Sequence, residues 1–217
     1  MKKSRGAKKP PNSGRSPYRC VAEHRITSCN RPDSPLCVIA IHGGGIEPGT
    51  TELARDIAGL DFSFYSFEGT KKGGNWENFH PQLESENFTE RIGVALVKSN
   101  AGVVSIHGLK DKGNASEIYV GGLDEKLKSQ VITALIAAEF SAVEDKTKEH
   151  SGRDVHNICN CGWSGKGLQL EITHRLRKRM FEDLNRKKGR ENATPLFAHF
   201  VNTIRTVLLE SLRPRSR

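Results

Sequence analysis

The stretch Leu36-Cys-Val-Ile-Ala-Ile41, followed at once by His42-Gly-Gly-Gly-Ile-Glu47, says more about the fold than any other part of the chain. Six consecutive apolar residues with no alternation read as a strand buried on both faces, the kind found inside a parallel sheet. The three glycines then give the backbone freedom for a tight turn. A strand of this type needs neighbours on both sides and helices above and below.

The rest of the sequence supplies them. Val103-Val-Ser-Ile106 ending at His107-Gly108, Ile118-Tyr-Val120 before Gly121-Gly122, and Leu168-Gln-Leu-Glu-Ile172 are short apolar runs closed by turn or polar residues. Phe62-Ser-Phe-Tyr-Ser-Phe67 alternates as a half-buried strand does, and Lys71-Lys-Gly-Gly-Asn75 breaks the chain after it. Apolar residues at helical spacing predict helices over about 50–57, 87–98, 124–140, 173–185 and 195–212. Strands alternating with helices predict a single three-layer α/β domain, with a mostly parallel or mixed sheet and helices on both faces.

A chain of 217 residues suits one domain with a sizeable core. Residues 1–18 are rich in Lys, Arg, Ser, Gly and Pro and are expected to be a disordered basic tail, leaving 19–217 as the domain. The formal net charge is +9, but residues 1–19 carry +7 and residues 205–217 carry +3, so the middle of the chain is close to neutral. A basic surface at the site is therefore not implied. The five cysteines, Cys20, Cys29, Cys37, Cys159 and Cys161, are odd in number and widely spread, which suits reduced thiols. No apolar run approaches the roughly 18 residues of a membrane span, and no apolar segment follows the basic amino terminus. The expectation is a soluble, cytoplasmic protein without membrane partners; oligomeric state is left open.

His42, Glu47, His107 and Glu171 each fall at or just past the end of a buried apolar strand. In an open α/β sheet ligands collect at the carboxyl ends of strands, so one sheet can gather all four. His or carboxylate at a buried strand end is costly unless paired, hydrogen-bonded or metal-bound. Two His and one carboxylate are a common protein ligand set for catalytic zinc.

His42-Gly-Gly-Gly-Ile-Glu47-Pro-Gly-Thr, Ser105-Ile-His107-Gly, Ile118-Tyr-Val-Gly-Gly122, and Asn157-Ile-Cys-Asn160 leading to Gly167-Leu-Gln-Leu-Glu171 resemble, in that order, the motifs of the phage-type poly-γ-glutamate hydrolases. The resemblance covers about 36–179. It implies a zinc enzyme with a fold like that of carboxypeptidase A, with H-x4-E where carboxypeptidases have H-x2-E. It assigns zinc to His42, Glu47 and His107, the activation of the attacking water to Glu171, and cleavage to an acidic γ-linked peptide or polymer. The family tends to carry a His near Asn78-Phe-His80-Pro, and an Arg soon after the second Asn of Asn157–Asn160, where this chain has Cys161. That departure removes a natural bidentate clamp for a substrate carboxylate and bears on substrate class rather than on metal chemistry. His80, Arg153, Asn157 and Lys166 are the candidates for binding substrate or its oxyanion.

Three other readings compete. On the same site the chain could hydrolyse N-acyl amino acids. Ile41-His-Gly-Gly-Gly45 also resembles the oxyanion loop of serine esterases, but the nearest approach to a nucleophile elbow, Gly162-Trp-Ser-Gly-Lys166, lacks the last glycine and a preceding apolar strand. The basic stretch Arg175 to Arg190 suggests a nucleic-acid-binding module. Its charges are interleaved with Glu182 and Asp183 and read more simply as a solvated helix face, so a nucleic-acid partner is not expected.

Overall fold

The computed structural model describes residues 23–111, 113, 115–147 and 150–213; the basic 1–18 tail lies outside the described residues. In chain order the elements are β1 (His24–Cys29), β2 (Leu36–Gly44), α1 (Thr50–Ala58), β3 (Ser63–Gly69), α2 (Asn75–Phe79), α3 (Arg91–Lys98), β4 (Gly102–Leu109), β5 (Glu117–Gly121), α4 (Glu125–Ala137), β6 (Ser141–Glu144), β7 (Leu168–Thr173), α5 (His174–Met180), α6 (Lys187–Arg190) and α7 (Pro195–Ser211). The strands form one mixed sheet in the order β1-β3-β2-β4-β7-β5-β6. β3, β2, β4 and β7 run parallel, whereas β1 is antiparallel to β3 and β5 antiparallel to β7.

The apolar run at 36–41 does form an interior strand, flanked by β3 and β4, and all nine residues of β2 are buried. One face of the sheet packs against α1, α4, α5 and α7 through Leu53, Ile57, Val131, Leu135, Leu176, Phe200 and Ile204. The other face packs against α3 and the 158 region through Leu96, Val97 and Ile158. The three-layer α/β expectation holds.

Several elements differ from the sequence reading. β3 is buried along its whole length rather than on one side, because helices cover both faces and its serines find partners, Ser66 with Thr51 at 2.8 Å and Ser63 with the Arg31 N–H at 3.0 Å. The helix expected from 87 begins at Arg91, where Glu90 caps the Ile92 and Gly93 N–H groups. The helix expected over 173–185 stops at Met180, and Phe181 instead bridges Ala193. Consequently Arg175 to Arg190 is not one solvated helix face: Arg177 and Arg190 are buried and hydrogen-bonded to backbone carbonyls. The edge strands β1 and β6 were not foreseen.

The chain order places β3 on one side of β2 and β4 on the other, with α1 and α3 on opposite faces. The end of β2 is thus a point where connections diverge, leaving a crevice at the carboxyl ends of the strands. The β2–β4 register runs from Leu36↔Gly102 to Ile39↔Ser105, so His42 and His107 lie beyond the last paired residues.

Candidate metal centre

Against β3, the register of β2 shifts between Ala40 and Gly43, a bulge that re-aims His42 toward the crevice. Gly44 then takes φ 65°, and the Glu47 N–H returns to the His42 carbonyl at 2.8 Å. The turn folds Glu47 back over His42. Gly43 is needed for space: a Cβ there would lie 2.2 Å from Thr51 Oγ1 and 2.4 Å from Ser66 Oγ.

His42, Glu47 and His107 are all buried, and each offers a ligand atom within 4.8 Å of the other two. His42 Nδ1 is 3.1 Å from Glu47 Oε1, His107 Nδ1 is 3.8 Å from Glu47 Oε2, and the two Nδ1 atoms are 3.2 Å apart. The far nitrogens are anchored. His42 Nε2 donates to the Leu83 carbonyl at 2.9 Å, and His107 Nε2 meets Ser105 Oγ at 2.8 Å. Because a carbonyl only accepts, Nδ1 of a neutral His42 presents a lone pair to the cluster. Glu47 Oε2 is fixed by the Gly108 N–H at 2.7 Å.

Burial alone would push the Glu47 carboxyl up, but attraction and hydrogen bonding to His42, attraction to His107 and the Gly108 N–H outweigh it and hold the group at about 2. Burial, opposed in part by Glu47, lowers His107 to about 3. Two imidazole nitrogens and a carboxylate converging on one point, with their outer atoms tied by hydrogen bonds, are the donor set a divalent transition-metal ion requires. The residues fit such an ion.

Glu171 sits beside this cluster because β7 pairs with β4 in register His107↔Glu171. Its carboxylate accepts a hydrogen bond from Gln169 Nε2 at 3.0 Å. Gln169 Nε2 also donates to the His150 carbonyl, while Asn157 Nδ2 bridges Gln169 Oε1 at 3.1 Å and Glu86 Oε1 at 3.2 Å. Burial, then the Glu47 and Asp145 charges, raise the Glu171 carboxyl well above the usual range.

These groups open into a cavity of about 500 Å³ whose lining includes His42, Glu47, Trp76, His80, His107, Lys110 and Glu171. His80 stacks on Trp76 at 3.7 Å, with Nε2 3.7 Å from Glu47 Oε1. Burial and then the His42 charge lower it to about 4. Asn157 acts on this wall through Gln169. Arg153 and Lys166 are not in the lining: Arg153 reaches away to Glu144 and Glu125, and Lys166 is exposed. Ser164 lies in an exposed turn with its hydroxyl donated to the Lys166 carbonyl, away from any strand end. That placement does not make a nucleophile elbow.

Sequence reasoning missed Gln169, Trp76, Lys110 and Arg177. Gln169 had a signal, since residues i and i+2 of a strand share a face and Glu171 was already singled out. Arg177 is buried and donates to the carbonyls of Ile172 at 3.0 Å, Pro48 at 2.6 Å and Leu109 at 3.3 Å. Those carbonyls follow closely on Glu171, Glu47 and His107, so one guanidinium ties together the three segments that build the site.

The fold and the site together define a three-layer α/β protein with a buried His, Glu, His cluster at the carboxyl ends of its strands. A sequence profile of the family described as poly-gamma-glutamate hydrolase matches residues 18–203, and the chain belongs to that family. The UPF0714 protein YmaC of Bacillus subtilis (strain 168) is 32% identical over 188 residues, 86% of this chain and 77% of that protein. A structure of a bacteriophage poly-gamma-glutamate hydrolase superposes with a TM-score of 0.80 at 31% identity, over 89% of this chain and 92% of that one. The zinc-free apo form of YndL superposes with a TM-score of 0.81 at 29% identity, over 88% and 92%. Cys29, Cys37, Cys159 and Cys161 are free thiols, and among the described residues no helix is long and apolar enough to cross a membrane.

Proposed function

We propose that this chain is a zinc-dependent hydrolase of γ-glutamyl amide bonds, acting on poly-γ-glutamate, with the metal held by His42, Glu47 and His107. The observation that carries the reading is the convergence of two imidazole Nδ1 atoms and a carboxylate within 4.8 Å, beside a second buried carboxylate on the next strand. When bound, zinc lowers the pKa of a water to about 7 and polarises a carbonyl.

The chain's own residues do the rest. Glu171 takes the proton of the attacking water and delivers it to the leaving amine. Burial, which raises the Glu171 carboxyl, favours its accepting a proton. The Gln169 amide holds one carboxylate oxygen and so sets the direction of the other. His80 donates to the developing oxyanion, a role supported by its lowered pKa and its stacking on Trp76 beside Glu47. Leu83 and Ser105 keep the two histidine rings turned so that both Nδ1 atoms face Glu47.

The test joins metal analysis to product sizing. Purified protein should hold about one zinc per chain, and zinc-loaded protein should shorten poly-γ-glutamate to γ-linked fragments while leaving α-linked polyglutamate largely intact. Unchanged polymer after long incubation, together with hydrolysis of N-acyl amino acids, would discard the polymer and keep the amidohydrolase.

A further inference from the structure

A substrate with a carboxylate beside its scissile amide needs a cation near the reacting carbonyl, and the cations around this site are mostly committed. Arg177 spends its guanidinium on three backbone carbonyls. Arg153 is bound to Glu144, and Lys166 lies outside the cavity. At position 161, a cysteine thiol turns inward toward the carbonyls of 155–157.

Lys110 is different. It follows the end of β4 three residues after His107, and among the described residues it is the Lys or Arg side chain that lines the cavity. Its ammonium lies 5.5 Å from the centre of the Trp76 ring, and no described carboxylate is within ion-pair distance. Trp76 stacks in turn on His80, whose Nε2 reaches to 3.7 Å from Glu47. The indole face restrains a long flexible side chain at the cavity wall. The remaining charged lining beyond the metal cluster and Glu171 is acidic, namely Glu84, Glu86 and Asp111. A substrate carboxylate is repelled by those groups and accepted at Lys110.

We propose that Lys110, seated on Trp76, is the specificity-determining residue of this chain, binding the free carboxylate adjacent to the scissile amide. This rests on the reading of the site as a γ-glutamyl hydrolase, but its test reads binding rather than turnover. The chain has two tryptophans, Trp76 and Trp163, and Trp163 is 71% exposed, with its backbone N–H bonded to the Asn100 carbonyl and its side chain outside the cavity. In a Trp163→Phe background, fluorescence therefore reports on Trp76. A γ-linked glutamate tetramer and its counterpart with every α-carboxylate converted to carboxamide are titrated into the full-length protein at low salt.

The expected result is tighter binding of the carboxylate tetramer, lost about tenfold in Lys110→Met, largely restored in Lys110→Arg, and absent for the carboxamide in either background. Equal affinity for the two tetramers in the parent overturns the proposal, as does equal loss of both in Lys110→Met. The two readings fail separately. Carboxylate-selective, Lys110-dependent binding without cleavage of the polymer supports this residue and removes the proposed reaction, whereas cleavage with binding indifferent to Lys110 does the reverse.

Discussion

Replacing Arg177 by Met keeps an unbranched apolar stem but removes the charge and all three hydrogen bonds to the carbonyls of Ile172, Pro48 and Leu109. Hydrogen bonds to a charged group contribute about 1.5–3 kcal/mol each, so the gross loss is roughly 4–9 kcal/mol. Relief from burying a guanidinium, which is 3% exposed here, offsets several kcal/mol of that. The net destabilisation expected is about 3–5 kcal/mol, the usual result of removing one partner from a buried charged network. At about 2–4 °C per kcal/mol for a chain of this size, Tm should fall by roughly 6–20 °C. Because the three carbonyls belong to the segments bearing Glu171, Glu47 and His107, metal affinity should fall with it. Urea denaturation of metal-free protein measures the first effect, and zinc titration the second. A variant within about 0.5 kcal/mol of the parent, the spread of ordinary surface substitutions, would show that Arg177 is not the tie described here.

Replacing His42, Glu47 or His107 by Ala should strip the metal, and full zinc content in both histidine variants by mass spectrometry or atomic absorption would show that the ligands are others. Glu171→Gln should keep zinc and fold while losing about 10²–10⁴-fold in turnover, since general acid-base help is of that size; near-normal hydrolysis rates would remove Glu171 from its role. Gly43→Ala should destabilise by about 2–4 kcal/mol and displace the Glu47 turn, because the added Cβ overlaps Thr51 Oγ1 and Ser66 Oγ; a soluble variant with unaltered thermal stability contradicts the packing argument. Burial raises the Glu90 carboxyl, but the Ile92 and Gly93 N–H groups and the Tyr65 hydroxyl lower it more. Its folded pKa is thus below its unfolded value, so its contribution is present above about pH 4.5 and is lost as pH falls through the folded value. Glu90→Ala should cost about 1–2 kcal/mol at pH 7 and progressively less in acid, as read by denaturant melts across that range.

The principal strands and the candidate site residues were legible in the sequence for one reason: both are local. A run such as 36–41 is apolar because its whole surface is buried, and burial of both faces leaves a composition that can be seen without knowing what covers it. His42, Glu47, His107 and Glu171 stood out because polar groups abutting such runs are expensive there. The edge strands β1 and β6 were invisible because an edge strand with an exposed side keeps a polar composition, as the exposed positions of His24–Cys29 and Ser141–Glu144 show.

What only the tertiary structure decided is who stands next to whom across long separations. The Arg177 tie to Pro48 spans 129 residues, and the Asn157 bond to Glu86 spans 71, distances at which no spacing rule applies. Trp76, His80 and Lys110 form one wall only because α2 and the end of β4 meet over the crevice beside β2, and Arg153 lies outside the cavity lining, with its guanidinium on Glu144 and near Glu125. Sequence pattern reports how far each residue is withdrawn from water, and so it determined the α/β fold and the four groups at its strand ends. The partners that orient those groups are chosen by chain packing, whose directional hydrogen bonds leave no periodic trace in the sequence.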